Sequence, residues 1–461
     1  GYSKRNRKTY LNPLNLESIN RVHFIGIGGI GMSALAKFFL YKGVEVSGYD
    51  RSKTELTLAL SNLGSNIIYN DDISSIKDIE SVDLVVFTPA ISSNNVQLNH
   101  FKKTNIPVHK RAYILGEITK SYQTIAVAGT HGKTTTSSIV AHLLQQNNCG
   151  GVSFLGGICK NYNSNILLQE GQNAVVEADE YDRSFLQLHP SAIILTSMDP
   201  DHLDIYGDEE SVAEGFKLFV DLLKNEDSLY VQEDLKNQFP TALTYGYQTS
   251  STLFVYDVRL KEGYYIFNVN YKGVVYENFE FHLPGRHNLL NAAGAILSCL
   301  EWGVSFEKIK SALANFNGVK RRFEIHYNDG QRIYVDDYAH HPNEIKVLYK
   351  GLREFYPDYK LIGVFQPHLY SRTRDFLMEF QSVLSEFDTL FVMPIYPARE
   401  MPIEGVNAEV LLEGIEMDQK SLLVREEDLH MALKQEEKFV VSTIGAGDID
   451  RLINPLKSLL L

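Results

Sequence analysis

Ile125-Ala126-Val127-Ala128-Gly129-Thr130-His131-Gly132-Lys133-Thr134 decides how this chain is read. An apolar run of β type ends in a glycine turn, and Gly-Lys-Thr opens the helical pattern behind it. Such a turn gathers backbone N–H donors, an ammonium and a hydroxyl at one helix start, the arrangement that holds nucleotide phosphates. Val127 stands where the full phosphate-loop pattern has its leading glycine, but strand before and helix after are both in place. Gly129, Thr130, His131, Gly132, Lys133, Thr134 and Thr135 are therefore the expected ATP cradle. In it Lys133 neutralises the β- and γ-phosphate oxygens and Thr134 ligates Mg²⁺ (or Mn²⁺).

A second glycine turn of a different build lies upstream, Val22-His23-Phe24-Ile25-Gly26-Ile27-Gly28-Gly29-Ile30-Gly31, and it reads G-x-G-x-x-G. Its first glycine permits the turn, the second lets backbone approach a diphosphate, and the third lets helix and strand pack closely. Asp50 ends the next apolar run, where an acidic side chain reaches a ribose hydroxyl. Gly26, Gly28, Gly29, Ile30, Gly31 and Asp50 thus form a site for a diphosphate and a ribose. NAD and a UDP-sugar satisfy that pattern equally. Two acidic clusters follow apolar strands beyond the phosphate loop: Glu177-Ala178-Asp179-Glu180 and Asp199-Pro200-Asp201-His202-Leu203-Asp204. Ligands of open α/β sheets gather at such strand ends, and Mg²⁺ needs oxygen donors there.

The 461 residues give room for roughly three domains. A net charge of -13 argues against non-specific binding to nucleic acid or to a membrane surface. Cys149, Cys159 and Cys299 show neither a disulfide framework nor metal-ligand spacing, and no apolar stretch is long enough to span a bilayer. A soluble, cytoplasmic protein, monomeric or dimeric, is expected. Alternation of strand and helix patterns predicts an α/β fold in three domains. The first is Rossmann-like over 1–120. A central α/β domain of P-loop ATPase type occupies 121–317, with an antiparallel meander in the strand-rich stretch 252–283, its strands expected at Leu253–Tyr256, Tyr264–Phe267 and Val274–Tyr276. A second Rossmann-like domain fills 318–461. The patterns also predict a short strand over Ile106–Val108, a helix over Pro342–Phe355 and one continuous helix over Arg372–Phe387.

At this point the chain resembles the Mur ligase family, ATP-driven amide-forming enzymes of peptidoglycan precursor synthesis. The resemblance rests on Gly129–Thr136, Glu177–Glu180, Asp201–Asp204 and Gly285-Arg286-His287-Asn288-Leu289-Leu290-Asn291-Ala292-Ala293. Within the family, Gly26–Ser33, Asp336-Asp337-Tyr338-Ala339-His340-His341-Pro342 and Phe365–Arg374 are similar to the branch that adds L-alanine to UDP-N-acetylmuramate. The resemblance implies UDP-N-acetylmuramate on the first domain, ATP on the second and the amino acid on the third. It also implies roles residue by residue. Lys133 contacts the γ-phosphate, while Thr134, Glu177 and His202 hold metal and acyl phosphate. Asn288 and Asn291 lie near the adenine, with His287 close by. Arg322 and Asp337 contact phosphate and ribose, and Tyr338, His340, His368 and Arg372 face L-alanine.

The chemistry implied is activation of a carboxylate as an acyl phosphate, followed by amine attack. His340, His368 and Glu177 are the candidate bases for the amine. Two departures from the family stand out: Leu369 replaces a second arginine, and Lys217 falls near the place of a lysine that some relatives carbamylate, although an ordinary solvated lysine is the simpler reading. Three alternatives remain open: a recycling ligase that attaches a whole peptide to the same sugar nucleotide, an NAD-dependent dehydrogenase, and a non-catalytic nucleotide-binding module.

Overall fold

The structure, a computed structural model, describes residues 13–199 and 209–461. His202, Asp201 and Asp204, three of the expected site positions, lie outside the described residues. The chain divides into two compact units. One comprises Gly1–Thr130, Leu144–Gly156 and Asn165–Leu229, and the other comprises His131–Leu143, Gly157–Ser164 and Tyr230–Leu461.

The first unit begins with five strands: β1 (Arg21–Ile25), β2 (Glu45–Tyr49), β3 (Asn66–Ile68), β4 (Leu84–Phe87) and β5 (Val108–Lys110). They form a parallel sheet in the order β3-β2-β1-β4-β5, as a doubly wound domain requires. All five residues of β1 are buried, which suits a strand covered on both faces. His23 in its middle is a satisfied core histidine: Nδ1 bonds the Ser47 hydroxyl and Nε2 the Gln97 side chain, both at 2.8 Å. Burial pushes it down to about 4, so it is neutral at physiological pH.

The same unit carries β6 (Gln123–Ala128), β8 (Ser164–Leu168), β9 (Asn173–Glu177) and β10 (Ala192–Leu195), together with most of β7 (Gly151–Cys159). Neighbours run β10-β6-β9-β7-β8, with β6 parallel to both β9 and β10. This sheet docks on the first one's opening helix, Ile30–Tyr41. There Phe38 meets Phe154 at 5.7 Å between ring centroids, and Asn165 donates to the Ile30 carbonyl at 2.6 Å.

In the second unit β11 (Leu229–Gln232), β12 (Leu243–Gly246), β13 (Leu253–Lys261), β14 (Tyr264–Tyr271) and β15 (Val274–Phe281) follow one another as neighbours. β13, β14 and β15 are antiparallel, the expected meander, but each strand runs longer than its apolar core suggests. A six-stranded sheet completes the unit. Its strands are β16 (Glu324–Asn328), β17 (Arg332–Asp337), β18 (Lys360–Phe365), β19 (Thr389–Val392), β20 (Lys420–Leu422) and β21 (Phe439–Ile444), in the order β16-β17-β21-β18-β19-β20. Only β16 is antiparallel.

Two element expectations shift. The strand expected over Ile106–Val108 sits at Val108–Lys110, because Pro107 has no N–H to give a ladder and contributes only its carbonyl, to Val85. The helix expected over Arg372–Phe387 is two, Tyr370–Asp375 and Leu377–Leu384. Phe376 leaves helical geometry between them, with its ring packed at 4.7 Å on His341. By contrast, Pro342–Phe355 forms as expected, with proline at its first turn and a capping box between His341 and Glu344.

The segment joining the meander's domain to the six-stranded sheet is held by backbone pairing and charge. Lys160 N–H donates to the Gly318 carbonyl, Lys320 N–H to that of Ile158, both at 2.9 Å, and Lys160 Nζ lies 3.3 Å from Glu324. Burial pushes the Glu324 carboxyl up. His326, the Arg321 N–H and Lys160 outweigh it and hold the group at about 2. A carboxyl depressed in the folded state stabilises above its unfolded pKa and loses that contribution as pH falls through the folded one. Glu324 should therefore contribute on the order of 3 kcal/mol near neutrality, lost between about pH 4.5 and 2. Urea unfolding of Glu324→Gln against the parent should show a deficit at pH 7 that vanishes at the acid end; a deficit independent of pH contradicts the assignment.

Candidate active site

The first glycine turn closes as the sequence predicts. Gly26 and Ile27 both donate to the Tyr49 carbonyl, at 2.8 and 3.0 Å, so β1 and β2 define the turn. Gly28 N–H donates to Asp50 Oδ2 at 2.8 Å, and Ser52 N–H to Oδ1 at 3.0 Å. A Cβ on Gly28 would sit 2.7 Å from that carboxylate, so the second glycine is needed for the acid as well as for a ligand. Ile30 starts the helix half-exposed, after Gly29 at its cap. A Cβ on Gly31 would meet the Arg111 side chain at 3.0 Å. Sequence reasoning missed Arg111, whose guanidinium lies beside the helix start where a diphosphate is expected. A basic residue opening the helix behind the last strand of the sheet was the available signal.

The phosphate-loop sequence leaves β6 with Gly129 at φ 144°, and a Cβ there would fall 1.9 Å from the Thr196 hydroxyl. Thr130 is fixed by Ser197, its N–H donating to that residue's carbonyl and the two hydroxyls lying 3.3 Å apart. In the same unit Glu177, at the end of β9, accepts from Gly156 N–H at 2.7 Å. In the other unit Gly132 has φ 82°, and a Cβ would meet Asn291 Oδ1 at 2.6 Å. Lys133 is the first residue of the helix Lys133–Gln146, followed by buried Thr134 and Thr135. Asn291 and Asn288 are both buried on the helix Arg286–Glu301, and Asn288 is tied by its side-chain N–H to the Pro284 carbonyl at 2.7 Å.

The third constellation hangs on the end of β17. Asp337 accepts from Phe323 N–H and Ala339 N–H, both at 2.8 Å, and thereby holds Phe323 in a left-handed conformation. Burial pushes its carboxyl up to about 6, against the pull of Arg322 and those two N–H groups. The Arg322 guanidinium lies 4.9 Å over the Tyr338 ring. It also adds to burial in pushing His287 down to about 4, which Glu344 opposes.

His340 and His368 face each other at 6.1 Å between centroids, and Arg372 Nη1 donates to His368 Nδ1 at 3.1 Å and to its carbonyl at 3.2 Å. Burial first, then Arg372 and His340, push His368 down to about 4. Leu369, in place of the family's arginine, caps the next helix at φ 73°, a strained conformation for a side chain of its kind. Arg374 turns instead to the adjacent Asp375.

Partners fix the histidine tautomers. Arg372 is only a donor, so His368 Nδ1 accepts and its proton is on Nε2. The Tyr338 carbonyl, 3.1 Å from His340 Nδ1, is only an acceptor, so that nitrogen carries the proton and the lone pair of neutral His340 is on Nε2. Among the described residues one cluster of three ligand-type side chains stands elsewhere, Glu324, His326 and Asp336. Arg321 and Lys160 already neutralise it, at 2.9 and 3.3 Å, so it belongs to the fold. Lys217 is exposed on the helix Glu209–Val220.

Comparison with known proteins fits this geometry. Three family models match in succession: the Mur ligase family catalytic domain over residues 21–123, the middle domain over 127–299 and the glutamate ligase domain over 321–448. The UDP-N-acetylmuramate–L-alanine ligase of Flavobacterium psychrophilum is 44% identical, covering 96% of this chain and 99% of its own. The chain belongs to the Mur ligase family. That of Cytophaga hutchinsonii is 43% identical, over 97% of this chain and 98% of its own. The crystal structure of UDP-N-acetylmuramate–alanine ligase from Thermotoga maritima superposes with a TM-score of 0.80 at 27% identity, over 95% of this chain and 99% of that one. A murein peptide ligase from Psychrobacter arcticus shares the fold, with a TM-score of 0.66 at 21% identity over 95% and 98%. Membership of this family removes the dehydrogenase alternative, and the three-domain α/β architecture is that of Mur ligases.

Gly132 gives the sharpest local test. Gly132→Ala adds left-handed strain of about 1 kcal/mol or more to a clash with Asn291. Because that strain falls on the turn, Tm should fall by a few degrees while ATP affinity falls at least about tenfold. Isothermal titration with a non-hydrolysable ATP analogue measures the second; unchanged affinity contradicts the cradle.

Proposed function

We propose that the chain joins L-alanine to the lactyl carboxylate of UDP-N-acetylmuramate, driven by ATP, in peptidoglycan precursor synthesis. The observation that carries this reading is similarity over nearly the whole of both chains to ligases of that name, at 44% and 43% identity. It includes the segments that present Tyr338, His340, His368 and Arg372.

A carboxylate resists attack by an amine, since its charge repels the nucleophile and oxide does not leave. Transfer of the γ-phosphoryl group to the lactyl oxygen, with departure of ADP, removes both obstacles. Lys133 and Arg322 supply the charge that such a transfer needs. Gly26 to Gly31, with Asp50, hold the sugar nucleotide, and Asn288, Asn291 and Asp337 the nucleoside of ATP.

Mg²⁺ is the fitting ion, and Thr134, Glu177 and His202 are the residues proposed to hold it. Hydroxyl and carboxylate oxygens are the hard donors it prefers, and bound there it neutralises phosphate charge. Arg372 pairs with the L-alanine carboxylate. His340, whose Nε2 carries the lone pair, takes the proton from the amine. The amine nitrogen then bonds to the acyl carbon, and the tetrahedral intermediate expels phosphate to leave the amide. The His368 lone pair is spent on Arg372, so that ring orients the arginine rather than serving as base. The protein works in the cytoplasm as a monomer or dimer; no described helix is long and apolar enough to cross a membrane.

Phosphate release measured with each substrate omitted in turn tests the reading. Release should require ATP, UDP-N-acetylmuramate and L-alanine together, and a tripeptide should not replace L-alanine. Lys133→Ala should lower turnover by at least about a thousandfold. A tripeptide preferred over L-alanine would move the chain to the recycling branch, and retained turnover in the lysine variant would remove the phosphate loop from the mechanism.

A further inference from the structure

Glu344 enters the fold as a helix cap but makes more contacts than a cap needs. At the third position of the helix Pro342–Phe355, its Oε1 accepts from His341 N–H at 3.0 Å and His340 N–H at 3.3 Å. The same oxygen lies 3.4 Å from His340 Nδ1. The other oxygen, Oε2, lies 3.4 Å from Nδ1 of His131, inside the Gly-Thr-His-Gly-Lys-Thr turn. The His131 and His341 rings stand 5.5 Å apart between centroids. A surface capping glutamate points one oxygen into water. This one is 15% exposed and has a positive or polar partner on each oxygen. Burial pushes its carboxyl up, but His340, His131 and Arg322 hold it well below the usual carboxylate range, so it is ionised throughout the working pH.

From this geometry we infer that Glu344 is a positioning residue for the ligase reaction, one carboxylate that orients the base His340 and sets it in register with the phosphate loop through His131. The inference rests on the ligase reading above. The amine must attack a carbonyl whose phosphate has just arrived from ATP, so the base and the phosphate loop must be placed together to within a fraction of an ångström. One oxygen on each histidine does this directly. A carboxylate behind an imidazole also selects its tautomer and stabilises its cation, as in carboxylate–histidine pairs at other sites. Here it reinforces the Nδ1–H form that the Tyr338 carbonyl already favours. The charges facing the carboxylate are Arg322 and, when protonated, His131, His287, His340 and His341.

Glu344→Gln separates this role from capping, because glutamine at the third helical position still accepts from the cap N–H but carries no charge. Relative to the parent, Tm should fall only by the share of the lost charge interactions, less than in Glu344→Ala, and the KM for UDP-N-acetylmuramate should not change. The kcat for L-alanine-dependent phosphate release should fall between about tenfold and a hundredfold. Removal of the anion also makes the His340 cation less favourable, so the acid limb of the kcat/KM profile for L-alanine should move to lower pH. Glu344→Ala should show the same kinetic loss with a lower Tm as well. Parental kcat and an unmoved acid limb in the glutamine variant would reduce Glu344 to a helix cap and overturn the inference while leaving the ligase reading intact. A parent with no L-alanine-dependent release would overturn both.

Discussion

Phosphate can be gripped by backbone N–H groups only where no side chain intervenes, and that requirement shapes the glycine turn after β6. Gly129 and Gly132 are each pressed by a neighbour within its own unit. The first lies against Thr196 at the end of β10, and the second against Asn291 of the helix Arg286–Glu301. Neither position tolerates a Cβ, and both adopt φ values that favour glycine. The loop is therefore shaped by its neighbours before any ligand arrives. A turn shaped in advance need not be ordered by a ligand, so less of any contact energy is spent on ordering it.

The acids singled out in both units follow a common logic. Asp50 accepts from Gly28 and Ser52, Glu177 from Gly156, Asp337 from Phe323 and Ala339, and Glu344 from His341 and His340. Each carboxylate proposed for substrate, metal or positioning also accepts at least one backbone N–H, from its own turn or from a neighbouring segment. A buried carboxylate needs more than one partner, and backbone N–H groups satisfy some of its lone pairs without neutralising it. The remaining lone pairs keep the negative charge available. Structure and chemistry thus draw on the same side chains, so substitution by alanine would confuse the two, whereas isosteric amides separate them.

Much of this was legible in the sequence, because strong local signals agreed with long-range packing. The glycine turns, the helix begun by Pro342 and the meander after Thr252 each rest on periodicity or backbone chemistry that neighbouring residues determine. The strands Gly151–Cys159 and Ser164–Leu168 were not anticipated, since glycine and asparagine there weaken any alternating pattern and pairing across the sheet supplies what propensity lacks. The break at Phe376 accompanies a ring contact with His341, thirty-five residues away in sequence, which no local pattern could reveal. Arg111 and Glu344 escaped notice for the same reason. Each resembles an ordinary charged residue at a helix start until the fold brings Gly31 or His131 beside it.

The spelling of the first glycine turn is the one place where a strong motif pointed two ways, and Asp50 does not decide between them. In a dinucleotide site this acid takes ribose hydroxyls, which asks for oxygen lone pairs directed outward. Here each oxygen already accepts one backbone N–H, Oδ2 from Gly28 and Oδ1 from Ser52, and keeps a second lone pair for a hydroxyl, so the acid alone does not separate the two ligands. The third glycine, which elsewhere lets helix and strand approach, here makes room for Arg111. A guanidinium beside a helix N-terminus adds cationic charge to N–H donors that already favour phosphate, so the turn suits a diphosphate. The motif dictates a tight turn and a close backbone approach. What approaches is decided by the side chains that the glycines leave room for.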